Sequence, residues 1–139
     1  MIQLVDDQRL GTILRGGAPP RRQADVFTTG YWYVRLCQAV LGAGNRTGVL
    51  SAPFASLPDA ARVRVVQALV ELPDMIGLVS LRELGPLIGH LRQRHELNIL
   101  SMEVLAAAVH LQAHVYLSAP SPRLQEALKS EARGVEIIS

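Results

Sequence analysis

Two adjacent carboxylates, Asp6 and Asp7, come directly after the short apolar run IQLV at 2–5. Such a run reads as a buried strand, and it places both acids at the strand's C-terminal end. A carboxylate there also has an ordinary role, because the first turn of a helix favours negative charge. A second constellation is Tyr31, Trp32 and Tyr33 with Arg35, which holds half of the six aromatic side chains. Aromatics interleaved with arginine can stack bases and meet phosphates. With Arg21 and Arg22 upstream they form a candidate nucleic-acid surface. Core anchoring or a homodimer face suits the same aromatics. His110 and His114 are four apart, a spacing that can put two metal ligands on one helix face. The helix is expected to end near Gln112, however, and no third ligand accompanies them. His90 and His95 are five apart, which is wrong for one face.

Other chemistries lack their motifs. No G-x-x-x-x-G-K-[ST] phosphate loop occurs, and GAGNRTG at 42–48 follows an expected helix rather than a strand. No G-x-S-x-G elbow offers a nucleophile. Cys37 is the lone cysteine, which excludes an internal disulfide and a cysteine-rich zinc site. Its apolar helical setting reads as a buried, inert thiol. At 139 residues the chain fits a single domain, 1–139, able to bury a core without staples. The opening MIQLVDDQRL has the make-up of neither a signal nor a transit peptide. No apolar run approaches the roughly 20 residues of a membrane span. The expected setting is the cytoplasm, with no membrane partner. Residues 1–70 carry eight arginines against four aspartates, and residues 71–139 carry six basic and eight acidic side chains. This asymmetry suits a basic face for nucleic acid or an acidic partner, or simply scattered solvated arginines.

The elements that position these groups follow from pattern. After the strand at 2–5, residues 8–15 read as a helix and GGAPPRR at 16–22 as a loop. Val34, Leu36, Cys37, Val40 and Leu41 give a helical apolar face, ended by Gly42 and Gly44. VLSAP at 49–53 is expected to be a second strand. Ser56 and Asp59 read as a capping box opening a helix to about Leu72. A strand is expected at 76–81, then a helix from Leu81 to Arg94 with Ser80 and Glu83 as its box. Asn98 caps a further helix through VLAAAVHL. VYLS at 115–118 is a strand and APSP a turn, with Ser121 as N-cap and Pro122 at the first helical position. A helix at 122–132 and a strand at 135–138 complete the chain. Strands alternating with helices argue for an α/β three-layer sandwich with a mainly parallel central sheet. In such folds ligands lie beyond the C-terminal ends of the strands. Asp6, Asp7, Ser118 and the APSP turn are placed there.

From residue 76 onward the rhythm of IGLVSL, RELGPLIGHLRQRH, LNILSMEVLAAAVHLQAHVYLSAPSPRL and GVEII resembles the C-terminal half of a PIN domain. That family shows a leucine, a small capping residue, two further residues, an aspartate and an alanine-rich helix. A strand ending in threonine or serine follows, then a spacer and another aspartate. The resemblance covers residues 76–139 and the first strand. It implies a PIN-like fold and, in working members, a ribonuclease whose three or four carboxylates hold Mg²⁺ or Mn²⁺. Carried over, it makes Asp6 and Asp7 the candidate catalytic acids and Asp6 the metal ligand. The second family acid should follow VLSAP, where FASLP stands and Asp59 is the nearest acid. The third falls on Ser101. Glu103 is two residues on, about 200° around the helix. The fourth falls near Pro120, in a turn without an acid. These departures imply a non-catalytic binding or scaffolding module for RNA or a partner protein. Arg21, Arg22, Tyr31, Trp32, Arg35, Ser101 and Ser118 are its candidate binding residues. The alternatives are an active, toxin-like Mg²⁺- or Mn²⁺-dependent ribonuclease and a structural homodimer subunit.

Overall fold

The structure, a computed structural model, describes residues 1–42 and 48–138. Its first half runs β1 (Ile2–Val5), α1 (Asp7–Leu14), β2 (Asp25–Thr28), α2 (Gly30–Leu41), α3 (Ala52–Ala55) and α4 (Asp59–Val70). The second half runs β3 (Ile76–Leu78), α5 (Leu81–Leu91), α6 (Ile99–Leu111), β4 (His114–Leu117), α7 (Pro122–Ser130) and β5 (Val135–Ile137). The four strand pairings among the described residues are all parallel, in the order β3-β2-β1-β4-β5. Parallel neighbours need crossovers, and helices supply them.

Successive strand residues face opposite ways, and β1 shows the result. Val5 packs with Leu10, Leu36, Phe54 and Leu69, so α1 to α4 cover one face. Leu4 packs with Leu84, Leu105, Val115 and Leu124, so α5 to α7 cover the other. The chain is therefore a three-layer α/β sandwich with a parallel sheet, as its alternating pattern predicts. Helix α6 is buried without a break from Met102 to Ala108. Its run Ala106–Ala108 lets it lie close against its neighbours, which is why it carries no polar stripe. Among the described residues, no helix is long and apolar enough to cross a membrane.

Two expectations about the first half are corrected. Residues 49–53 form no strand: a turn leads into α3, which has proline at its start, where the missing N–H costs nothing. The second strand is instead β2, in a stretch to which the pattern assigned no element. It pairs with β1 through Ile2 to Asp25 and Leu4 to Phe27. The Ser56–Asp59 box does not form either. Ser56 ends α3 and its hydroxyl donates to the Pro53 carbonyl, while Pro58 precedes α4 without a side-chain cap. Asn98 caps as read, accepting from the Ser101 backbone N–H. Ser80 caps α5 by accepting from the Arg82 N–H, but the box with Glu83 does not form, and Glu83 stands 3.8 Å from His110 instead. The helix end expected at Gly42 is found, and Gly44 lies outside the described residues. Gly77 is needed where it stands, because an added Cβ would strike the Phe27 ring on the neighbouring strand.

Candidate functional site

A cleft of about 310 Å³ opens beyond the C-terminal ends of β1 and β4. From β1 the chain builds the sheet in one direction through β2 and β3, and from β4 in the other through β5. This reversal is the place where open α/β sheets bind ligands. Asp6, Asp7, Trp32, Arg35, Ser101 and Ser118 all line the cleft. Six of the nine residues singled out in the sequence are thus brought together.

Asp6 follows directly from β1 in an extended conformation and caps α1. Its Oδ1 accepts from the Arg9 backbone N–H at 2.9 Å and from the Ser118 hydroxyl at 2.9 Å. Its Oδ2 accepts from the Ser118 backbone N–H at 2.6 Å. The carboxylate ties the ends of the two central strands together, and both of its oxygens are occupied.

Asp7 is placed differently. It is 8% exposed, and its Oδ1 accepts from the Gln8 N–H at 2.8 Å. Its Oδ2 is buried without a hydrogen bond among the described residues, and Arg35 Nε stands 3.5 Å away. Burial raises the Asp7 carboxyl above its ordinary range, against the lowering effect of Arg35, and the charge of Asp6 adds to the rise.

The remaining candidates divide. Trp32 is 5% exposed and packs in the core beneath α5–α7, reaching the cleft as part of its wall. Tyr31 is exposed beside it and lies outside the cleft lining. Arg21 sits at the opposite end of the sheet, where its guanidinium Nε donates to the Tyr116 hydroxyl at 2.7 Å and its backbone N–H to Gln3 Oε1 at 3.0 Å. Arg22, the next residue, is exposed and also outside the cleft. Arg21, Arg22, Tyr31, Trp32 and Arg35 therefore do not form one continuous surface. The histidine pair is split as well. His110 ends α6 with Nε2 3.8 Å from Glu83, whereas His114 lies in β4 with Nε2 3.2 Å from Glu136.

Glu103 has a role that sequence spacing does not reveal. It is fully buried on α6, and its two oxygens accept from the backbone N–H groups of Gly30 at 3.0 Å and Tyr31 at 2.9 Å. Thr29 accepts from the Trp32 N–H at 3.1 Å. Together they satisfy the first orphan donors of α2, where negative charge is favoured. Asp59 lies on α4, pairs with Arg62 and has a 92% exposed side chain. Neither acid joins the cleft. The Asn98 cap fixes the first turn of α6 and so brings Leu100 and Ser101 to the cleft wall. That signal was readable, whereas the partners of Glu103 lie 72 and 73 residues away.

The donor set bears on the metal that the PIN resemblance implies. Asp6 already accepts three hydrogen bonds from the protein, and Asp7 offers one oxygen beside an arginine. Among the described residues, no three His, Cys, Asp or Glu side chains are grouped to hold a metal ion. These residues do not fit a resident Mg²⁺ or Mn²⁺, which calls for several hard oxygen ligands. No protein-family model matches the chain, and no curated protein matches it.

Proposed function

We propose that this chain is a PIN-like domain that binds a partner in its cleft and does not cleave RNA. The observation that carries this reading is the content of three positions. The resemblance puts family acids at Asp6, Ser101 and Pro120, and all three line one cleft, yet only Asp6 is a carboxylate. The binding place persists in this reading while the ligands of a catalytic metal have been replaced.

The lining favours a protein partner over RNA. Leu50, Leu100, Val104, Leu117 and Leu124 give the cleft a largely apolar wall. Among the described residues that line it, two acids stand against one arginine, an unfavourable balance for a phosphate backbone. Arg21 and Arg22 stand at the far end of the sheet. A single thiol, Cys37, agrees with a reducing cytoplasmic setting. A homodimer remains a second reading, because Tyr31, Val34 and Leu41 leave exposed apolar groups along α2.

The test is incubation of labelled single-stranded RNA with folded protein and Mg²⁺ or Mn²⁺, with EDTA and Asp6→Asn as controls. No cleavage is expected. Cleavage abolished by both controls would instead establish the metal-dependent ribonuclease. Light scattering on the same preparation decides the homodimer reading, which a monomer removes.

A further inference from the structure

The sheet ends in two edge strands, β3 and β5, each three residues long. An open edge invites pairing, and proteins commonly guard it with charge. β5 carries Glu136 at its centre and follows closely on Arg133. β3 is Ile76, Gly77 and Leu78, with no charge in it. Its backbone is placed to pair. Asp25 donates its N–H to the Met1 carbonyl, so alternation along β2 gives Asp25 and Phe27 to β1, and Val26 and Thr28 to β3. On β3 the residue that answers β2 is then Gly77, and Leu78 turns its N–H and C=O to the open side. The Ile76 N–H faces the same side but is taken by the Pro73 carbonyl at 2.9 Å. The residues around Leu78 also match themselves in reverse. Three before it stands Met75, 78% exposed, and three after it Leu81, 49% exposed. Four before it stands Asp74 and four after it Arg82, both exposed and neither in an ion pair among the described residues. Apolar answers apolar, and acid answers base, about one central leucine that is itself 40% exposed.

We infer that β3 pairs antiparallel with β3 of a second copy of this chain, about a two-fold axis at Leu78. The two Leu78 residues exchange both backbone hydrogen bonds, as directly opposite residues of an antiparallel ladder do, and the two five-stranded sheets become one. Met75 comes to the end where the second copy holds Leu81, and Asp74 to the end where it holds Arg82. A two-fold interface has to be complementary to itself. The reversed match about Leu78 meets that requirement in one register, and this is what selects a second copy as the occupant of the edge. None of these residues lines the cleft, so the inference is independent of the reading of the cleft as a binding place. It also names a different surface from the exposed groups of α2.

The experiment is sedimentation equilibrium of the full chain over a range of concentrations, with variants at exposed positions. The wild type is expected to be a dimer in reversible exchange with monomer. Leu78→Lys should be monomeric where the wild type is dimeric. Asp74→Arg and Arg82→Asp each bring like charges together at two symmetric places, and each should weaken the dimer about tenfold. The variant with both changes restores opposite charges and should return to the wild-type affinity, which keeps the test open even where Leu78→Lys disturbs the strand. Val34→Lys on α2 should leave the dimer intact. Hydrogen exchange at the Leu78 amide should slow as concentration rises. A wild type that is monomeric throughout would overturn the inference. A double variant no tighter than the single ones would overturn it too, as would a Leu78 amide indifferent to concentration, or a dimer lost in Val34→Lys and kept in Leu78→Lys. RNA cleavage in the assay above would overturn the non-cleaving reading alone, because these variants leave the cleft as it is.

Discussion

The two faces of the sheet are built to different standards. The α5–α7 face buries a cluster centred on α6, whose residues Met102 to Ala108 are enclosed on every side. Its helices α5 and α6 open on Ser80 and Asn98 caps, whereas Ser121 makes no side-chain cap at α7. The α1–α4 face rests on the smaller group of Val5, Leu10, Leu36, Phe54, Leu69 and Ile76. Its α4 has no side-chain cap and exposes Val63 and Val70. One sheet thus supports a dense layer and a lighter one. The cleft lies where they meet, with walls drawn from both. The lesson concerns precision: a side chain is held most firmly where α6 is within reach, and Glu103 uses that helix to fix the start of α2 on the opposite layer.

Truncation tests this contrast most strongly. Leu105→Ala should cost about 4 kcal/mol and Leu69→Ala about 2.5 kcal/mol, both within the range for buried leucines, with the larger value where collapse is hardest. Urea denaturation measures both, and equal losses would remove the distinction between the faces. Next comes Glu103→Gln. An amide offers only one good acceptor to two backbone donors, so a loss of about 2 kcal/mol is expected. Faster hydrogen exchange at Gly30 and Tyr31 would show that the loss arises at α2. A global loss without local exchange would detach Glu103 from the link between layers.

The smallest effects are electrostatic and run in opposite directions. Hydrogen bonds from Arg94 and then His95 hold the Glu131 carboxyl at about 2, below its ordinary 4.5. A depressed carboxyl stabilises the fold above the unfolded value, and that contribution disappears as pH falls toward 2. Glu131→Gln should therefore be less stable than wild type at pH 7 and match it near pH 2. Asp7 is raised by burial. Its contribution is present below the unfolded value of 3.8 and is lost as pH rises through the folded one. Asp7→Asn should gain on wild type as pH rises. Melting curves from pH 2 to 7 measure both, and parallel curves would refute the assignment.

The alternation of apolar runs with capped helices made the parallel sheet legible, because β1 and β4 are short and carry one polar residue each, Gln3 and His114. The strand β2 was harder to see. Val26, Phe27 and Thr28 have the side chains of a strand, but Gly30 starts α2 only two residues after β2 ends, so no loop marks where one period gives way to the other. VLSAP misled for the opposite reason, since its β-branched start gives way to a helix that accepts Pro53 in its first turn. At the cleft, Asp6, Ser101 and Ser118 were legible because each sits at the end of an element. The orphaned oxygen of Asp7 was not, since being without a partner is a property of the folded surroundings. Glu103 was invisible for a related reason: the chain gives no local sign of what a buried acid will meet 73 residues away.

The central place of β1 sets a schedule for making this protein. The Val5 carbonyl receives the Thr28 hydroxyl from 23 residues on, but Asp6 waits for Ser118, 112 residues on. A ribosome adds roughly 5–20 residues per second. The innermost strand therefore leaves the ribosome well before β4, gains one neighbour quickly and keeps its other edge bare for several seconds. A bare edge beside apolar side chains is a template for a second nascent chain. Slow translation between residues 28 and 114 would lengthen that exposure without altering a single contact of the finished molecule.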